Sequence, residues 1–440
     1  MDPALLAGVI LIAGVIVLIG IGAPIGIAIG MPSILALAAV VGTEQAVFVA
    51  SQRMFTGASS FTLLAIPFFV LAGSLMNTGG IASRLVDAAK VLVGRMPGSL
   101  AQTNVVANAM FSSVSGAAVA SAAAMGSTLG PRMRREGYDP NVSAAVNAAS
   151  APAGMMIPPS NTLIVYSLVS STSVATLFMA GYGPGLVWVL ACVAVVAIYS
   201  RRRPEMRASG DRVPLGLALV TLAKALPAVL MIVVVIGGLL AGLFTATESA
   251  VIAVAYSLIL GLIYRQLTLK NLPTVIADSA RTTAVVMLLV AVSSALSWVL
   301  SYATIPQTIS AGLLGLAESK TLILLLMMLI LLIVGAFMDP TPAILIFTPI
   351  FLPIATELGV DPIHFGLMIT FNLSLGTITP PVGNILFISA KVGGVRVEPV
   401  IKAMIPFFIA LLIGLLVVVF IPQISLFLPE ALGMMTGVEG

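Results

Sequence analysis

Charged residues are scarce in this 440-residue chain, and their scarcity excludes a soluble protein. Only 8% of the residues are charged and 60% are hydrophobic, whereas a soluble domain is about 25% charged and about 45–50% apolar. A fold of this size has too little interior to hide so much apolar surface from water. The same composition excludes disordered, collagenous and disulfide-rich proteins.

Cysteine, histidine and the motifs of common enzymes are almost or wholly missing. The single cysteine, Cys192, excludes an internal disulfide and a cysteine-based metal site. A single histidine argues against histidine-based catalysis, and the sequence has no Walker A pattern, zinc signature, nucleophile elbow or dinucleotide fingerprint. We therefore expect neither an enzyme nor a P-loop ATPase. The basic residues lie in connectors between apolar runs, which argues against nucleic-acid binding.

Long uncharged runs are what the sequence has instead. No Lys, Arg, Asp or Glu occurs in residues 3–43 or in residues 140–200. A helix needs about 20 apolar residues to cross a bilayer, so the second run alone is long enough for two or three crossings. The runs are continuous and do not alternate, which excludes a β-barrel. The sequence predicts an all-α polytopic membrane protein with roughly 10–12 membrane segments.

An internal repeat becomes visible when the sequence is shifted by 222 residues. Asp139-Pro140 then falls on Asp361-Pro362, and Pro158-Pro159 falls on Pro380-Pro381. Basic residues precede the Asp-Pro pair of the first copy, but they follow the Pro-Pro pair of the second. Because basic loops mark the cytoplasmic side, the two copies are expected to be inverted. Inverted repeats are common in secondary transporters.

The repeat suggests how the chain is organised. A weaker echo at another offset, Thr43-Glu44 against Thr247-Glu248, places the starts of the copies near residues 42 and 242. The first repeat is expected at 42–200, with an amphipathic arm at 81–96, a re-entrant hairpin at 111–131 and a broken helix at 142–166. The second repeat is expected at 242–428, with an arm at 267–281, a hairpin at 335–353 and a broken helix at 362–390. The remaining segments are N-terminal scaffold helices at 1–41, a basic cytoplasmic loop at 201–213, a linking scaffold helix at 214–241 and a C-terminal tail at 429–440.

The interruptions inside the apolar runs carry the functional argument. Consecutive prolines cannot donate backbone hydrogen bonds, so a helix must break at each Pro-Pro pair. Broken helices at membrane depth persist only where they are buried in protein or line a cavity. Helix C-termini and freed carbonyls can hold Na⁺, and helix N-termini can face an anion. Nearby hydroxyl groups add neutral oxygens that suit a hard monovalent cation; they belong to Ser112, Ser113, Ser115, Thr377 and Thr379.

Structural explanations stand beside this functional one. Small residues and serines in membrane helices often serve close helix packing, and a proline can be a simple kink. Asp339 follows an 18-residue charge-free run. A carboxylate inside a membrane is costly and is a functional hypothesis by default. The alternative is that it caps the helix that follows Pro340. We favour the functional role, and the two roles can coexist.

Four motifs make the sequence resemble a known family. Segments Phe111–Ala118, Ile157–Asn161, Met338–Pro342 and Ile378–Asn384 are similar to those of the large, DctM-like membrane subunit of tripartite ATP-independent periplasmic (TRAP) transporters. The resemblance covers essentially the whole chain. It implies a fold of the ion-transporter superfamily and elevator-type alternating access. It also implies a multi-pass protein of the bacterial inner membrane that imports organic acid anions, such as C4-dicarboxylates or sugar acids, together with Na⁺.

The resemblance also implies partners and site residues. The partners are an extracytoplasmic solute-binding protein and a small four-helix membrane subunit, expected as a separate chain because no such subunit is fused at the N-terminus. Two or more Na⁺ ions and no ATP would drive transport. One Na⁺ site would involve Ser112, Ser115, Gly116, Gly154 and Pro158. The second would involve Gly335, Asp339, Gly376, Thr377 and Thr379, and the substrate would lie near Ser160, Asn161 and Asn384.

Other functions stay open at the level of sequence. The nearest alternative is a stand-alone Na⁺- or H⁺-coupled carboxylate carrier that needs no binding protein. A membrane hydrolase using Asp339 would need a second catalytic group, and the sequence offers no clear one. A scaffold without transport would give no reason for paired helix breaks.

Overall fold

The protein is helical throughout the part that the structure describes. The computed structural model describes residues 3–202, 206, 214–316 and 319–435, and no strand occurs among them. The first ten helices are α1 (Pro3–Gly20), α2 (Ile25–Val41), α3 (Thr43–Ala58), α4 (Ala65–Thr78), α5 (Ile81–Val93), α6 (Ser99–Ser115), α7 (Ala118–Arg135), α8 (Pro140–Ser150), α9 (Asn161–Ser170) and α10 (Val174–Arg202), with 3₁₀ turns at Phe61–Leu64 and Ala151–Met155.

The second half repeats this order. Its helices are α11 (Leu215–Leu240), α12 (Ala246–Ile263), α13 (Leu272–Tyr302), α14 (Ile305–Leu316), α15 (Lys320–Phe337), α16 (Pro340–Glu357), α17 (Pro362–Gly376), α18 (Asn384–Gly393), α19 (Val397–Phe420) and α20 (Gln423–Ala431). Among the described residues, eight helices are long and apolar enough to cross a membrane. The prediction of an all-α polytopic membrane fold is confirmed.

The helix boundaries follow the 222-residue shift along most of the chain. The shift carries α7 onto residues 340–357, which are the bounds of α16, and it carries α2 onto residues 247–263, almost the bounds of α12. The first copy therefore begins with α1 and α2, and the second with α11 and α12. The expected starts at 42 and 242 are wrong, because the Thr-Glu echo pairs the starts of α3 and α12, which occupy different places in the two copies.

The Gly-x-Asp-Pro motif has a structural explanation in both copies. Gly137 and Gly359 adopt positive φ angles of 83° and 73° and end the preceding helix. Asp139 and Asp361 then cap α8 and α17, since their carboxylates accept backbone N–H groups at 2.8 Å and 2.7 Å. Proline follows at the first helical position, where its missing N–H costs nothing.

Hydrogen bonds between the two copies show that they run in opposite directions. Arg134, at the end of α7, donates to the carbonyl of Gly393 at the end of α18, at 2.5 Å. Tyr166, near the end of α9, donates to the carbonyl of Pro362 at the start of α17, also at 2.5 Å. The first broken helix thus starts where the second one ends, and it ends where the second one starts. The copies are inverted.

One face of the molecule is basic. We call the face at which α7 ends the basic face. The ends of α10 and α18 and the start of α19 lie on it as well, and these helix ends carry Arg132, Arg134, Arg135, Arg201, Arg202, Lys391, Arg396 and Lys402. The positive-inside rule assigns this face to the cytoplasm. The predicted loop 201–213 follows α10 here, but residues 203–205 and 207–213 lie outside the described residues.

The arm of the first copy is a separate helix, and the predicted arm of the second copy is not. Helix α5 covers most of the expected segment 81–96, and the guanidinium of its Arg84 lies 3.5 Å from the ring centroid of Tyr264. The expected arm at 267–281 is wrong, because residues 272–281 are the first turns of the 31-residue helix α13. The register places the counterpart of α5 at α14. This helix carries no charged residue, so it lacks the charged face by which α5 is recognised in the sequence.

The two hairpins are longer than predicted. The first consists of α6 and α7 with its tip at Gly116-Ala117, and the second of α15 and α16 with its tip at Met338-Asp339. The expected limits 111–131 and 335–353 omit most of the first helix of each pair, because those helices look like ordinary spans in the sequence. Gly98, before the first hairpin, lies beside Ser200 at the basic face, whereas Pro362, just after the second hairpin, is hydrogen-bonded to Tyr166 near the end of α9 at the other face. The hairpins therefore enter from opposite faces.

The helices form two packed groups. Helix α12 packs on α4, and α13 packs on α2, α3 and α4. The hairpins pack with the broken helices, and α10 and α19 pack on the broken helices in turn. Helices α5 and α14 connect the first group to the second along the chain in the two copies. Along the described chain, α5 and α14 join the hairpin group to the remaining helices, and the two groups also touch where α4 meets α6 and α13 meets α16.

Candidate functional site

Each hairpin touches the break of a helix in its own copy at a glycine. A Cβ atom on Gly376 would overlap the backbone of Gly335, near the end of α15. A Cβ atom on Gly154 would likewise overlap the side chain of Ser112, near the end of α6. The 222-residue register pairs Gly154 with Gly376, so both copies use the same close approach. Glycine is required at these positions because any side chain would separate the hairpin from the break.

The two breaks also touch each other. The hydroxyl of Ser374, at the end of α17, donates to the sulfur of Met155 at 3.2 Å. Both Pro-Pro peptide bonds at the breaks are cis. The structure therefore brings the first predicted set of site residues beside the second, midway along the two broken helices.

The hydroxyl groups at the breaks donate their protons to backbone carbonyl groups. Ser112 donates to the carbonyl of Asn108 at 2.5 Å, and Thr377 donates to the carbonyl of Ser374 at 2.7 Å. Thr379 donates to the carbonyl of Leu375, also at 2.7 Å. A hydroxyl has one proton and two lone pairs, so each of these oxygens is left as an acceptor. This arrangement suits a cation better than an anion.

Two asparagine oxygens lie unpaired at the same level. The Oδ1 atoms of Asn161 and Asn384 are buried and have no hydrogen-bond partner. Each asparagine is the first residue after a break, at the start of α9 or α18. The hairpin tip at Gly116 packs against Asn161, since a Cβ atom there would lie 3.1 Å from Nδ2. A buried acceptor without a partner costs about 1–3 kcal/mol, which a bound cation would recover.

Asp339 supplies the carboxylate of the second site. It occupies the position before α16, but its side chain makes no capping hydrogen bond. Its Oδ1 instead accepts from Nδ2 of Asn384 at 2.7 Å, which ties the second hairpin tip to the second break. The register places Ala117 at the equivalent position of the first hairpin. The second site therefore carries a negative charge that the first lacks.

The contacts of the remaining predicted residues serve mainly to hold the fold together. Ser160 is fully buried, donates to the carbonyl of Met155 and caps α9 by accepting from the N–H of Leu163. Its proton is thus already used. Pro158 is buried within the break, and Ser115 lies next to the tip with 4% of its surface exposed. The side chain of Ser113 lies outside the described residues.

Comparison with known proteins assigns the family. The family model described as "Tripartite ATP-independent periplasmic transporter, DctM component" matches residues 12–424. The chain belongs to this family. It is 49% identical to the protein YgiK of Salmonella typhimurium over 91% of the chain and 92% of that protein. It is 40% identical to the C4-dicarboxylate TRAP transporter large permease protein DctM of Pseudomonas aeruginosa, over 87% of the chain and 89% of that protein.

A solved structure supports the fold. The YdaH transporter of Alcanivorax borkumensis aligns with 96% of the chain and 98% of its own length, at a TM-score of 0.66 and 14% identity. At that identity the likeness concerns the fold alone. The predicted resemblance to the large TRAP subunit is confirmed by the family model and the relatives, and with it a multi-pass location in the inner membrane.

The candidate site offers an anion little positive charge from side chains. The tips and breaks, residues 112–118, 150–162, 335–341 and 374–385, contain no Lys or Arg. The N-termini of α9 and α18 lie at the breaks, and helix N-termini attract anions. A carboxylate bound here would rely on these helix ends and on bound cations. Among the described residues, no cluster of His, Cys, Asp or Glu forms a site for a divalent metal ion.

Sequence reasoning missed a buried group of polar side chains below the first site. Asn104 and Asn108 lie one turn apart on α6 and face Asn147 and Ser150 on α8, and Ser112, a predicted site residue, lies one turn further along α6. All five are at most 2% exposed. The i, i+4 spacing of amides in an apolar helix was a usable signal. It was overlooked because each residue alone is unremarkable among many small polar residues.

Proposed function

We propose that this chain is the membrane-embedded permease of a Na⁺-coupled secondary importer of organic acid anions. An extracytoplasmic solute-binding protein would deliver the substrate, and a small four-helix membrane subunit would complete the complex. The observation that carries the proposal is the coincidence, in two inverted copies, of a hairpin tip and a helix break lined by oxygens without available protons. Membership of the DctM family supports it.

The chemistry of the two sites fits two sodium ions. In the first, Ser112 and the C-terminus of α6 supply neutral oxygens beside Asn161. In the second, Thr377, Thr379 and Asp339 surround the end of α17. Helix C-termini carry partial negative charge, which favours a cation at both sites. The bound ions would then supply the positive charge that holds a carboxylate near Asn161 and Asn384.

The driving force is sufficient without ATP. Moving one charge inward across about 100 mV releases roughly 2.3 kcal/mol. A tenfold Na⁺ gradient adds about 1.4 kcal/mol per ion. Two ions would therefore supply roughly 7 kcal/mol. Moving the two negative charges of a dicarboxylate inward would cost about 4.6 kcal/mol, and the remaining ~2.8 kcal/mol would still concentrate it about a hundredfold.

The packing of the helices supports an elevator motion. The hairpin group moves as a unit in this proposal, while α2, α4, α12 and α13 stay fixed in the membrane. Helices α5 and α14 act as arms, one at each face. The substrate class is the organic acids, in keeping with the C4-dicarboxylate permease among the relatives.

Uptake by proteoliposomes tests the proposal. The full chain is reconstituted with the small membrane subunit and the binding protein, and uptake of radiolabelled C4-dicarboxylates and sugar acids is measured. We expect uptake to require both an inward Na⁺ gradient and the binding protein. Uptake without the binding protein would favour the stand-alone carrier, and uptake driven by protons in Na⁺-free buffer would contradict the sodium coupling.

Replacement of Asp339 sharpens the same experiment. We expect Asp339→Asn to lower Na⁺-dependent uptake by about tenfold or more, because the second site loses its charge. Asp361→Asn is the matched control, since Asp361 caps α17 at the membrane face and does not touch the site. Full uptake by Asp339→Asn would remove Asp339 from the site.

A further inference from the structure

Asn108 lies at the centre of the buried polar group below the first site. Its Nδ2 atom is 2.7 Å from Oδ1 of Asn104, 3.1 Å from Oδ1 of Asn147 and 2.8 Å from Oγ of Ser150. Its Oδ1 atom accepts from the hydroxyl of Ser121 at 2.6 Å. One fully buried side chain thus joins α6 to both α7 and α8.

The main chain of the same residue touches the site. Its carbonyl oxygen accepts the proton of Ser112, and Ser112 packs against Gly154 at the break. A serine can offer both lone pairs to a cation only while its proton points elsewhere. The carbonyl of Asn108 takes that proton, and the side chain of Asn108 fixes the turn of α6 that carries the carbonyl.

The second copy has no amide at the position of Asn108, and its broken helix reaches its hairpin through Asn372, whose Nδ2 donates to the carbonyl of Met328 on α15 at 2.7 Å. The register places Ile330 opposite Asn108, Leu326 opposite Asn104 and Ile369 opposite Asn147. The second site is also tied at the hairpin tip, by the bond from Asn384 to Asp339. The first site has Ala117 at that position and cannot form such a bond. Each copy therefore fastens its hairpin to its broken helix in a different way.

We propose that Asn108 is a positioning residue for the first sodium site, acting through Ser112. Its hydrogen bonds hold the first hairpin against the first broken helix, a link that we call the clasp, and keep the Ser112 oxygen directed at the ion. The inference rests on the proposed sodium coupling and deepens it. It assigns a role to a residue that does not touch the ion with its side chain.

Sodium binding without substrate tests the clasp. The purified full-length chain in lipid nanodiscs is titrated with NaCl at constant ionic strength, with KCl as the replacement salt. The apparent Kd for Na⁺, called the Na⁺ midpoint below, is fitted to the rise in Tm, since a ligand that binds only the folded state stabilises it in proportion to ln(1 + [L]/Kd). The fluorescence of Trp188 gives a second readout, because the indole N–H of this residue donates to the carbonyl of Ala149 just before the break.

We expect Asn108→Leu to raise the Na⁺ midpoint by about tenfold or more, the usual effect of removing a residue that orients a metal ligand. Ser121→Ala, which removes one hydrogen bond to Asn108, should raise it by roughly 2–5-fold and keeps the test usable if the leucine variant does not fold. Gln102→Leu is the control: it removes a buried amide on the same helix that bonds to α10. Its midpoint should stay within about twofold of the wild type.

The outcomes separate the two claims. If the wild-type protein shows no Na⁺-specific rise in Tm, the proposed sodium coupling fails and the clasp fails with it. If the wild type responds to Na⁺ while Asn108→Leu and Ser121→Ala keep its midpoint, the clasp alone is wrong. An equal shift in Gln102→Leu would show that any buried amide of α6 has this effect, which also overturns the assignment.

Discussion

At the scale of residues, the candidate site depends on small residues as much as on polar ones. Gly376 allows α17 to touch the backbone of Gly335, and Gly154 allows the first break to touch Ser112. The sequence predicted these glycines from the resemblance to a family. Their physical role is visible only in the packing, because the partner of each glycine lies about 40 residues away in the chain.

Gly376→Ala is the sharpest test of this packing. The added methyl group would push the second hairpin away from the break, and overpacking of this kind costs about 1–3 kcal/mol. We expect Na⁺ affinity to fall by roughly 10–100-fold, as that energy implies. Gly130→Ala, in an open part of α7, is the matched control and should bind Na⁺ normally. Unchanged affinity in Gly376→Ala would show that the close contact is not part of the site.

At the scale of elements, the sequence located the irregular segments and misplaced several regular ones. Prolines and glycines interrupt an apolar run visibly, so both breaks and both hairpin tips lie inside the expected segments. The second arm was misplaced because α14 carries no charge, whereas the start of α13 carries Asp278 and Arg281 and looks like an arm. Amphipathic patterning identifies a segment at an interface, but not whether the helix continues into the membrane.

The orientation of the elements can be tested by labelling. Ser173 and Val395 occupy equivalent positions in the two copies and follow the two broken helices. In the variants Ser173→Cys and Val395→Cys, each of which adds one cysteine to native Cys192, a membrane-impermeant thiol reagent should label residue 173 from the periplasm and residue 395 from the cytoplasm. Native Cys192 is fully buried and should stay unlabelled. Labelling of both positions from one side would mean that the copies are parallel.

At the scale of the whole molecule, one inverted plan is used for two unequal sites. The copies share most of their helix boundaries, their capped helix starts and their close glycine contacts. They differ in charge and polarity, since Asp339 of the second copy corresponds to Ala117 of the first, and Ile330 corresponds to Asn108. The fold and the family could be predicted from the sequence. The inequality of the sites could not, because it depends on side chains that meet only in the folded protein.

A cryo-electron microscopy map of the complex in NaCl, compared with one in KCl, tests the central claim most directly. The account predicts Na⁺-dependent density at both breaks, one beside Ser112 and Gly154 and the other beside Thr377 and Asp339. Each ion should be coordinated by the oxygens at a helix end. Helices that run unbroken through Pro158-Pro159 and Pro380-Pro381, or maps in the two salts with no difference at either break, would contradict it.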